Sequence, residues 1–213
     1  RMDRYFEVAD QKAPEQELDV DLIIPAPPKL GNKIIEIEDV GMAYNDGPWL
    51  FSNVSLKIEG GQRLGIVGRN GMGKTTLLNA IAGFHGITSG SIHLDGELLC
   101  GPEKPQAEPG SDRIVVFQNG ALVPWKTNLD NVAFGPMMAG KQSKEEIYDK
   151  ARSMMADAGL SGNENNYPGE ISSGLRRRVE IVRALMNDPK VLLFDEPYRA
   201  LDSLTKSVMH EAL

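Results

Sequence analysis

The sequence is poor in cysteine, and this limits the kinds of scaffold it can form. Cys100 is the only cysteine among the 213 residues. An internal disulfide is therefore excluded, and a reducing compartment is the better fit. His85 and His93 lie near Cys100 in the sequence, but the spacing of the three residues matches no zinc-binding pattern.

Long apolar runs and positive charge are also scarce. No run approaches the roughly 20 apolar residues that a membrane-spanning helix needs, and the first ten residues lack the apolar core of a signal peptide. We therefore expect a soluble chain that reaches a membrane only through a partner. The net charge of -7 argues against a broad basic surface, so we expect no nucleic-acid partner.

The remaining composition is that of a soluble globular protein, with 41% hydrophobic and 25% charged residues. This length allows one large domain or two small ones. Residues 1–33 differ from the rest because they are acidic, contain Pro25, Pro27 and Pro28, and show no sustained period. We interpret them as an N-terminal extension or linker. Because the chain begins on Arg1, we expect it to be a piece of something longer.

The chain is organised around residues 64–82, which read LGIVGRNGMGKTTLLNAIA. A short apolar run enters a glycine-rich turn, and the turn leads into a segment with apolar residues at helical spacing. Gly68 is followed after four residues by Gly73, Lys74 and Thr75. This is the phosphate-loop pattern.

The residue types in this pattern suit a bound polyphosphate. Glycines allow backbone N–H groups to approach the phosphates closely, and the helix that begins near Gly73 directs its positive end toward the same point. Lys74 supplies a full charge for the β- and γ-phosphates, and the Thr75 hydroxyl is a hard oxygen ligand for Mg²⁺. The alternative is a plain glycine turn with a lysine there by chance. The strand, loop and helix context favours the phosphate site.

Several short segments have the patterns of strands, and most are bounded by turn residues. They are residues 34–37, 54–58, 63–67, 91–94, 113–117 and 191–194. The run 191–194 is the most apolar, and Asp195 and Glu196 follow it directly. Gln118 follows 113–117 in the same way. Because ligands bind at the carboxyl ends of strands in open α/β sheets, these side chains are candidate site residues, the alternative being a solvated strand end.

The middle of the sequence has helical patterns. Ser143 and Glu146 form a capping-box pattern before a helix that Gly159 can end. A second helix is predicted over residues 174–187, ended by Asp188 and Pro189. Together with the strands, these helices predict an α/β fold.

The combination of these motifs resembles the nucleotide-binding subunit of an ABC transporter over residues 34–213. The matching features are the phosphate loop, Gln118, the run of Ser172, Ser173 and Gly174 that opens a helix, and Asp195 and Glu196 after their strand. Residues 115–135, VVFQNGALVPWKTNLDNVAFG, look most like the subfamily that energises import of nitrate, sulfonates or taurine.

The resemblance implies a particular architecture. The fold would be a P-loop NTPase (RecA-like) core with an antiparallel β subdomain and an inserted α-helical subdomain. The core would comprise residues 34–118 and 176–213, and the helical subdomain residues 119–175. The family's switch histidine would follow a strand beyond Leu213, so the C-terminal part of the core would be missing. His210 is too early to take that role.

The resemblance also implies roles for individual residues. Tyr44, which could equally be a half-buried core residue, would stack on adenine. Asp195 would orient Mg²⁺ beside Thr75, Glu196 would act as general base, and Gln118 would sense Mg²⁺ and the attacking water. Lys74 would complete the catalytic set. The phosphates would be held by Gly68, Arg69, Asn70, Gly71, Met72, Gly73, Lys74, Thr75 and Thr76.

Members of this family work as head-to-tail dimers, which implies a second ATPase subunit as partner. Ser172, Ser173 and Gly174 would cover ATP bound by the other subunit, and Asp202 would lie at the dimer interface. A transmembrane permease subunit would be the other partner, at the cytoplasmic face of the cell membrane. Two positions depart from the usual signature: Ser173 replaces a glycine and could crowd the nucleotide, and Leu175 replaces a glutamine.

We therefore predict an ATPase whose hydrolysis of ATP drives a membrane partner. One alternative is a nucleotide-binding regulator with impaired hydrolysis, which the serine at 173 and the missing histidine motivate. Another is a non-transport ABC ATPase that serves DNA repair or translation. Those proteins usually have a second nucleotide domain, a coiled-coil insertion or a basic surface, and none of these features is visible in the sequence.

Overall fold

The computed structural model describes residues 34–45 and 47–195. Predictions about residues 1–33, Glu196, Asp202 and His210 lie outside these residues. The described part contains two sheets and two clusters of buried side chains. One cluster lies between a sheet and the phosphate-loop helix, and the other lies among three helices.

The larger sheet has four antiparallel strands. They are β1 (Ile35–Ala43), β2 (Trp49–Ile58), β3 (Ser89–Leu94) and β4 (Glu97–Cys100), in the order β2-β1-β3-β4. Asp95 and Gly96 both have positive φ, 53° and 82°, in the tight turn between β3 and β4. The strands predicted over 34–37, 54–58 and 91–94 are therefore confirmed.

Helix α1 (Lys74–Ala82) covers one face of this sheet. Its apolar side chains Leu77, Ala80 and Ile81 are buried with those of β1 and β3. Gly83 ends the helix with φ of 90°, and its N–H donates to the carbonyl of Ala80. The first hydrophobic core thus holds the phosphate-loop helix in place.

The smaller sheet is a parallel pair, β5 (Arg113–Val116) and β6 (Val191–Phe194). Val116 lies opposite Phe194, so both strands end at the same edge. All four residues of β6 are half-buried, whereas the apolar pattern predicts a buried strand. Lys190 Nζ donates to Asp95 Oδ2 at 2.7 Å and joins the start of β6 to the turn after β3.

The strand predicted over residues 63–67 is wrong for this structure. None of the described strands pairs with this segment, which runs as irregular chain. Leu64, Ile66 and Val67 are 55%, 45% and 96% exposed. An apolar run becomes a strand only where neighbouring strands satisfy its backbone N–H and C=O groups and cover its side chains, and the described residues supply neither.

Three helices and a short 3₁₀ turn form the other half. They are α2 (Asn128–Ala139), α3 (Lys144–Asp157), the turn Pro168–Glu170 and α4 (Ser173–Leu185). The predicted capping box is confirmed, because Ser143 and Glu146 exchange hydrogen bonds at the start of α3. Val179, Val182 and Met186 bury one side of α4 against the other helices. None of the helices in the described ranges combines the length and apolar character that a bilayer crossing requires.

Helix α2 is absent from the sequence-based prediction. It begins after Thr127, whose side chain accepts from the N–H of Asp130 at 3.1 Å. Pro136 lies inside it near the C-terminal end, and a proline and a glycine in series weaken the helical pattern. Burial of Val132 and Ala133 against the second core supplies the stabilisation that the sequence pattern does not indicate.

Candidate functional site

The phosphate loop lines a cavity of about 300 Å³ at the start of α1. Its lining comes mainly from the predicted nucleotide-binding residues, with Leu50 of β2 on the other side. The lining residues are Leu50, Asn70, Gly71, Gly73, Lys74, Thr75 and Thr76. The sequence analysis did not identify Leu50, which is an ordinary strand residue in its local pattern.

Glycine is required at two points of this loop. Gly71 and Gly73 have φ of 83° and 81°, a conformation that other residues rarely adopt. A Cβ on Gly73 would also lie 2.7 Å from Phe51 and 2.9 Å from Leu50. The loop therefore packs directly on β2, and its backbone stays open toward the cavity.

Lys74 is turned back onto the loop that precedes it. Its Nζ donates to the carbonyl oxygens of Gly68 at 2.7 Å and Arg69 at 2.9 Å. These contacts hold the ammonium group beside the N-terminus of α1, where the macrodipole also favours an anion. Met72, which is 60% exposed, closes the turn through its N–H to Arg69.

Two side chains that are 120 residues apart in the sequence meet next to Lys74. The Thr75 Oγ1 donates to Asp195 Oδ1 at 3.1 Å. Thr75 is in the first turn of α1, and Asp195 follows β6 directly. The described structure thus brings the phosphate loop and the acidic end of β6 together, as the sequence predicts for a single site.

Gln118 follows β5, the strand paired with β6. The N–H of Asp195 donates to the carbonyl of Val116 at 3.2 Å, which extends the parallel pairing to the strand ends. Gln118 is two residues beyond Val116 and is half-buried. The polar side chains after the two strands therefore leave the sheet at the same edge.

The other predicted residues lie elsewhere or outside the described part. The Tyr44 ring is 52% exposed in the chain between β1 and β2, so it is not a core residue. Ser172 caps α4 by accepting from the N–H of Leu175 at 3.2 Å, and Ser173 is exposed at the first helical residue. Gly174 follows it. Glu196 and Asp202 are not among the described residues.

Three polar residues of α4 that the sequence analysis missed contact the loop around Gln118. Arg177 donates to the carbonyl of Phe117, and Arg183 donates to the carbonyl of Ala121. Glu180 pairs with Arg177. Burial lowers the pKa of Arg183 from its ordinary value. The detectable signal was their spacing of three residues, which puts charged side chains on one side of α4.

Comparisons with known proteins identify relatives of this chain. The sequence is 40% identical over 183 residues to the bicarbonate transport ATP-binding protein CmpD of Synechocystis sp., with 84% of this chain and 62% of CmpD covered. It is 41% identical over 180 residues to the taurine import ATP-binding protein TauB of Escherichia coli (strain K12), with 84% and 67% covered. The chain therefore spans about two thirds of the length of these relatives.

A solved structure supports the fold. The chain superposes with a TM-score of 0.70 and 30% identity on the dimeric structure of a post-hydrolysis state of the ATP-binding cassette MJ0796 bound to ADP and Pi. The alignment covers 84% of this chain and 81% of that one. The predicted fold class, a P-loop NTPase of the ABC type, is confirmed. Since the profile of the family described as ABC transporter also matches residues 51–199, this chain belongs to the ABC transporter family.

Proposed function

We propose that this chain is the ATP-binding and ATP-hydrolysing subunit that energises a membrane transporter. The observation that carries the proposal is the contact of 3.1 Å between Thr75 Oγ1 and Asp195 Oδ1. It joins the loop suited to phosphate with the carboxylate suited to a cation. If Asp195 were only a solvated residue at a strand end, its contact with Thr75, the residue after Lys74, would be unexplained.

In this proposal the triphosphate of ATP occupies the cavity at the start of α1. The Lys74 ammonium exchanges its carbonyl partners, Gly68 and Arg69, for β- and γ-phosphate oxygens. The ammonium then faces acceptors that carry full negative charge in place of neutral carbonyls, and this added Coulomb attraction favours the bound state. Tyr44, which is half exposed, offers its ring for stacking on adenine.

Thr75 and Asp195 fit a magnesium ion. A hydroxyl and a carboxylate are hard oxygen donors of the kind that Mg²⁺ prefers, and the structure places them 3.1 Å apart. Thr75 would hold the ion, and Asp195 would orient it, directly or through a bound water. Gln118 offers an amide oxygen at the same sheet edge. When bound, Mg²⁺ would neutralise charge on the phosphates.

Hydrolysis would be assisted by the residue after Asp195. We assign Glu196 as the general base: its carboxylate takes a proton from a water as that water attacks the γ-phosphorus. The bond between the γ-phosphorus and the bridging oxygen breaks, and ADP leaves. Gln118 would orient the water, and Lys74 would stabilise charge on the γ-phosphate.

We further propose that two copies of the chain work head to tail. Ser172, Ser173 and Gly174 at the start of α4 would cover ATP held by the other copy, since a helix N-terminus favours an anion. Asp202 would lie at that interface. The dimeric cassette with 30% identity to this chain supports this arrangement.

The partner and substrate are proposed from relatives. The names of CmpD and TauB refer to bicarbonate transport and taurine import. We propose import of a small molecule such as nitrate, a sulfonate or taurine, with the chain bound to a permease subunit at the cytoplasmic face of the membrane. In domain terms, residues 34–118 and 176–213 would be the core, 119–175 the helical subdomain, and 1–33 an extension or linker.

The proposal is tested by Glu196→Gln in the full-length protein, measured with its permease partner present. We expect ATP binding and ATP-dependent dimerisation to persist, while ATP turnover falls at least about 100-fold because the water keeps its proton. Glu145→Gln, a change of the same kind at an exposed position of α3, is the control and should leave turnover unchanged.

Two results would contradict the proposal. Unchanged turnover in Glu196→Gln would remove the assigned general base. Turnover that appears only after Ser173→Gly would favour the regulator with impaired hydrolysis.

A further inference from the structure

Three charged residues of α4 face the loop that carries Gln118. Arg177, Glu180 and Arg183 are spaced three residues apart, so they lie along one side of the helix. The loop is residues 117–121, directly after β5. We call these three side chains the loop clamp.

Arg177 contacts both the loop and the helix. Its Nη1 donates to the carbonyl of Phe117 at 2.8 Å and to Glu180 Oε2 at 2.8 Å. The side chains of Arg177 and Glu180 are only 12% and 13% exposed. Water therefore screens this pair weakly, and its hydrogen bonds are stronger than those of a surface ion pair.

Glu180 lies against the turn of the loop. Gly120 has φ of 70°, and a Cβ there would come within 2.5 Å of Glu180 Oε1. Only glycine accommodates both the backbone angle and the close approach of the carboxylate. The loop thus contacts the ion pair through its backbone.

Arg183 fixes the far end of the loop. Its Nη1 donates to the carbonyl of Ala121, and its guanidinium lies 5.7 Å from the centre of the Phe134 ring of α2. Phe117 and Ala121 are thus both anchored by backbone carbonyls. Gln118 lies between these two anchors.

The clamp connects regions that the proposed function treats separately. The Phe117 ring stacks on Phe84 at 5.9 Å between ring centres, and Phe84 follows the end of α1. Helix α4 begins at Ser173, one turn before Arg177. A continuous series of contacts therefore runs from the phosphate-loop helix through the Gln118 loop to the proposed signature.

We propose that Arg177 and Glu180 are positioning residues that hold the loop 117–121, and with it Gln118, at the site. This inference rests on the proposed function, because it assigns to the clamp the placement of Gln118 for ATP hydrolysis. Neither residue reaches the phosphate cavity, so ATP binding itself does not depend on them.

The test uses Arg177→Met and Glu180→Gln in the full-length protein. Hydrogen–deuterium exchange of the amides in 117–121 should rise at least about fivefold, since local opening controls exchange. The kcat for ATP should fall by at least about fivefold with KM changed less than about twofold, because chemistry is impaired and binding is not. Arg152→Met is the matched control: Arg152 forms an i,i+3 pair with Asp149, but at 57% and 71% exposure.

A charge swap separates positioning from stability. Arg177→Glu combined with Glu180→Arg keeps an ion pair on the helix, but a carboxylate at 177 cannot donate to the Phe117 carbonyl. We expect this double variant to have a higher melting temperature than Arg177→Met, which has no ion pair at this site, and to keep the low kcat. Recovery of kcat in the swap would overturn the inference.

Two further outcomes are decisive. Unchanged exchange in 117–121, or raised exchange with normal turnover, would also overturn the inference. If the wild-type protein hydrolyses no ATP at all, the proposed function fails. The exchange measurement then decides by itself whether the clamp holds the loop, so the two failures are distinguishable.

Discussion

The segment before the phosphate loop and the first turn of α2 differ in the polarity of the side chains that they bury. In residues 63–67, apolar side chains are exposed, and Val67 reaches 96%. In the first turn of α2, Asn131 is fully buried at 0% exposure. Hydropathy alone therefore does not determine which side chains are buried in this molecule.

Asn131 explains the second half of this comparison. Its Oδ1 accepts from the N–H of Val123 at 2.8 Å, and its Nδ2 donates to the carbonyls of Val123, Lys126 and Thr127 at 3.0–3.2 Å. This one side chain supplies hydrogen-bond partners for the N–H of Val123 and for the carbonyls of Val123, Lys126 and Thr127. The exposed segment has no equivalent, because no described strand pairs with it.

The largest effect is expected where this buried amide is removed. Asn131→Leu keeps the branching at Cγ but leaves the Val123 N–H without its acceptor and adds bulk at a fully buried site, so we expect the free energy of unfolding to fall by about 2–4 kcal/mol. Urea denaturation measures the change. Asn165→Leu is the matched control at an exposed position, where we expect a change within about 0.5 kcal/mol. Similar losses at the two sites would refute the role of the Asn131 hydrogen bonds.

A smaller difference in the loss of stability is expected between the same substitution at two valines. Val40 in β1 is 0% exposed and Val67 is 96% exposed. Val40→Thr would bury a hydroxyl without a hydrogen-bond partner and should lower the free energy of unfolding by about 1–3 kcal/mol. Val67→Thr should change the free energy of unfolding by less than about 0.5 kcal/mol. An equal loss at Val67 would mean that residues 63–67 pack against a partner in solution, and the comparison would break down.

The same comparison explains which parts of the fold could be predicted from sequence. The turn at Asp95 and Gly96 and the capping box at Ser143 and Glu146 were predictable, because these structures depend on residues adjacent in sequence. The strand over 63–67 was not, since a strand depends on neighbours that are distant in sequence. Helix α2 was missed for a related reason: tertiary burial of Val132 overrides the weak local pattern around Pro136.

The features of the candidate site also divide into those that the sequence predicts and those that it does not. The phosphate loop was predictable from the spacing of Gly68, Gly73 and Lys74, because the pattern involves only residues close in sequence and the backbone at Gly71 and Gly73 requires glycine. The meeting of Thr75 with Asp195 was predictable in part, because Asp195 lies at the carboxyl end of β6, where ligands bind in such sheets. The strand predicted before the phosphate loop took no part in it, because residues 63–67 are irregular chain. The loop clamp was not predictable, because Arg177 contacts the backbone of a loop 60 residues earlier, and a carbonyl acceptor leaves no signal in the sequence.

The smallest effect on stability is expected at the exposed start of α3, where the hydrogen-bond partners are adjacent in sequence and water screens the charges. The hydrogen bonds from the Ser143 hydroxyl and backbone N–H lower the pKa of the fully exposed Glu146 carboxyl. A carboxyl with a lowered pKa in the folded protein stabilises it above its unfolded pKa of about 4.3, and this contribution is lost as the pH falls through the folded value. The free energy of unfolding should therefore differ between wild type and Glu146→Gln by a constant amount near neutral pH.

That difference should shrink as the pH is lowered below about 4.3, because the carboxyl becomes protonated in the folded and unfolded states alike. Urea denaturation from pH 7 to pH 3 measures it. The neighbouring exposed Glu145 also lies in the first turn of α3 but takes no part in the capping box, so Glu145→Gln should show less of this pH dependence. If both variants followed the same pH curve, the helix dipole would account for the effect, since it acts on every carboxylate of the first turn. A pH dependence specific to Glu146 instead requires the reciprocal hydrogen bonds with Ser143. In both Glu146 and Asn131, a side chain then supplies partners for backbone groups close to it in sequence.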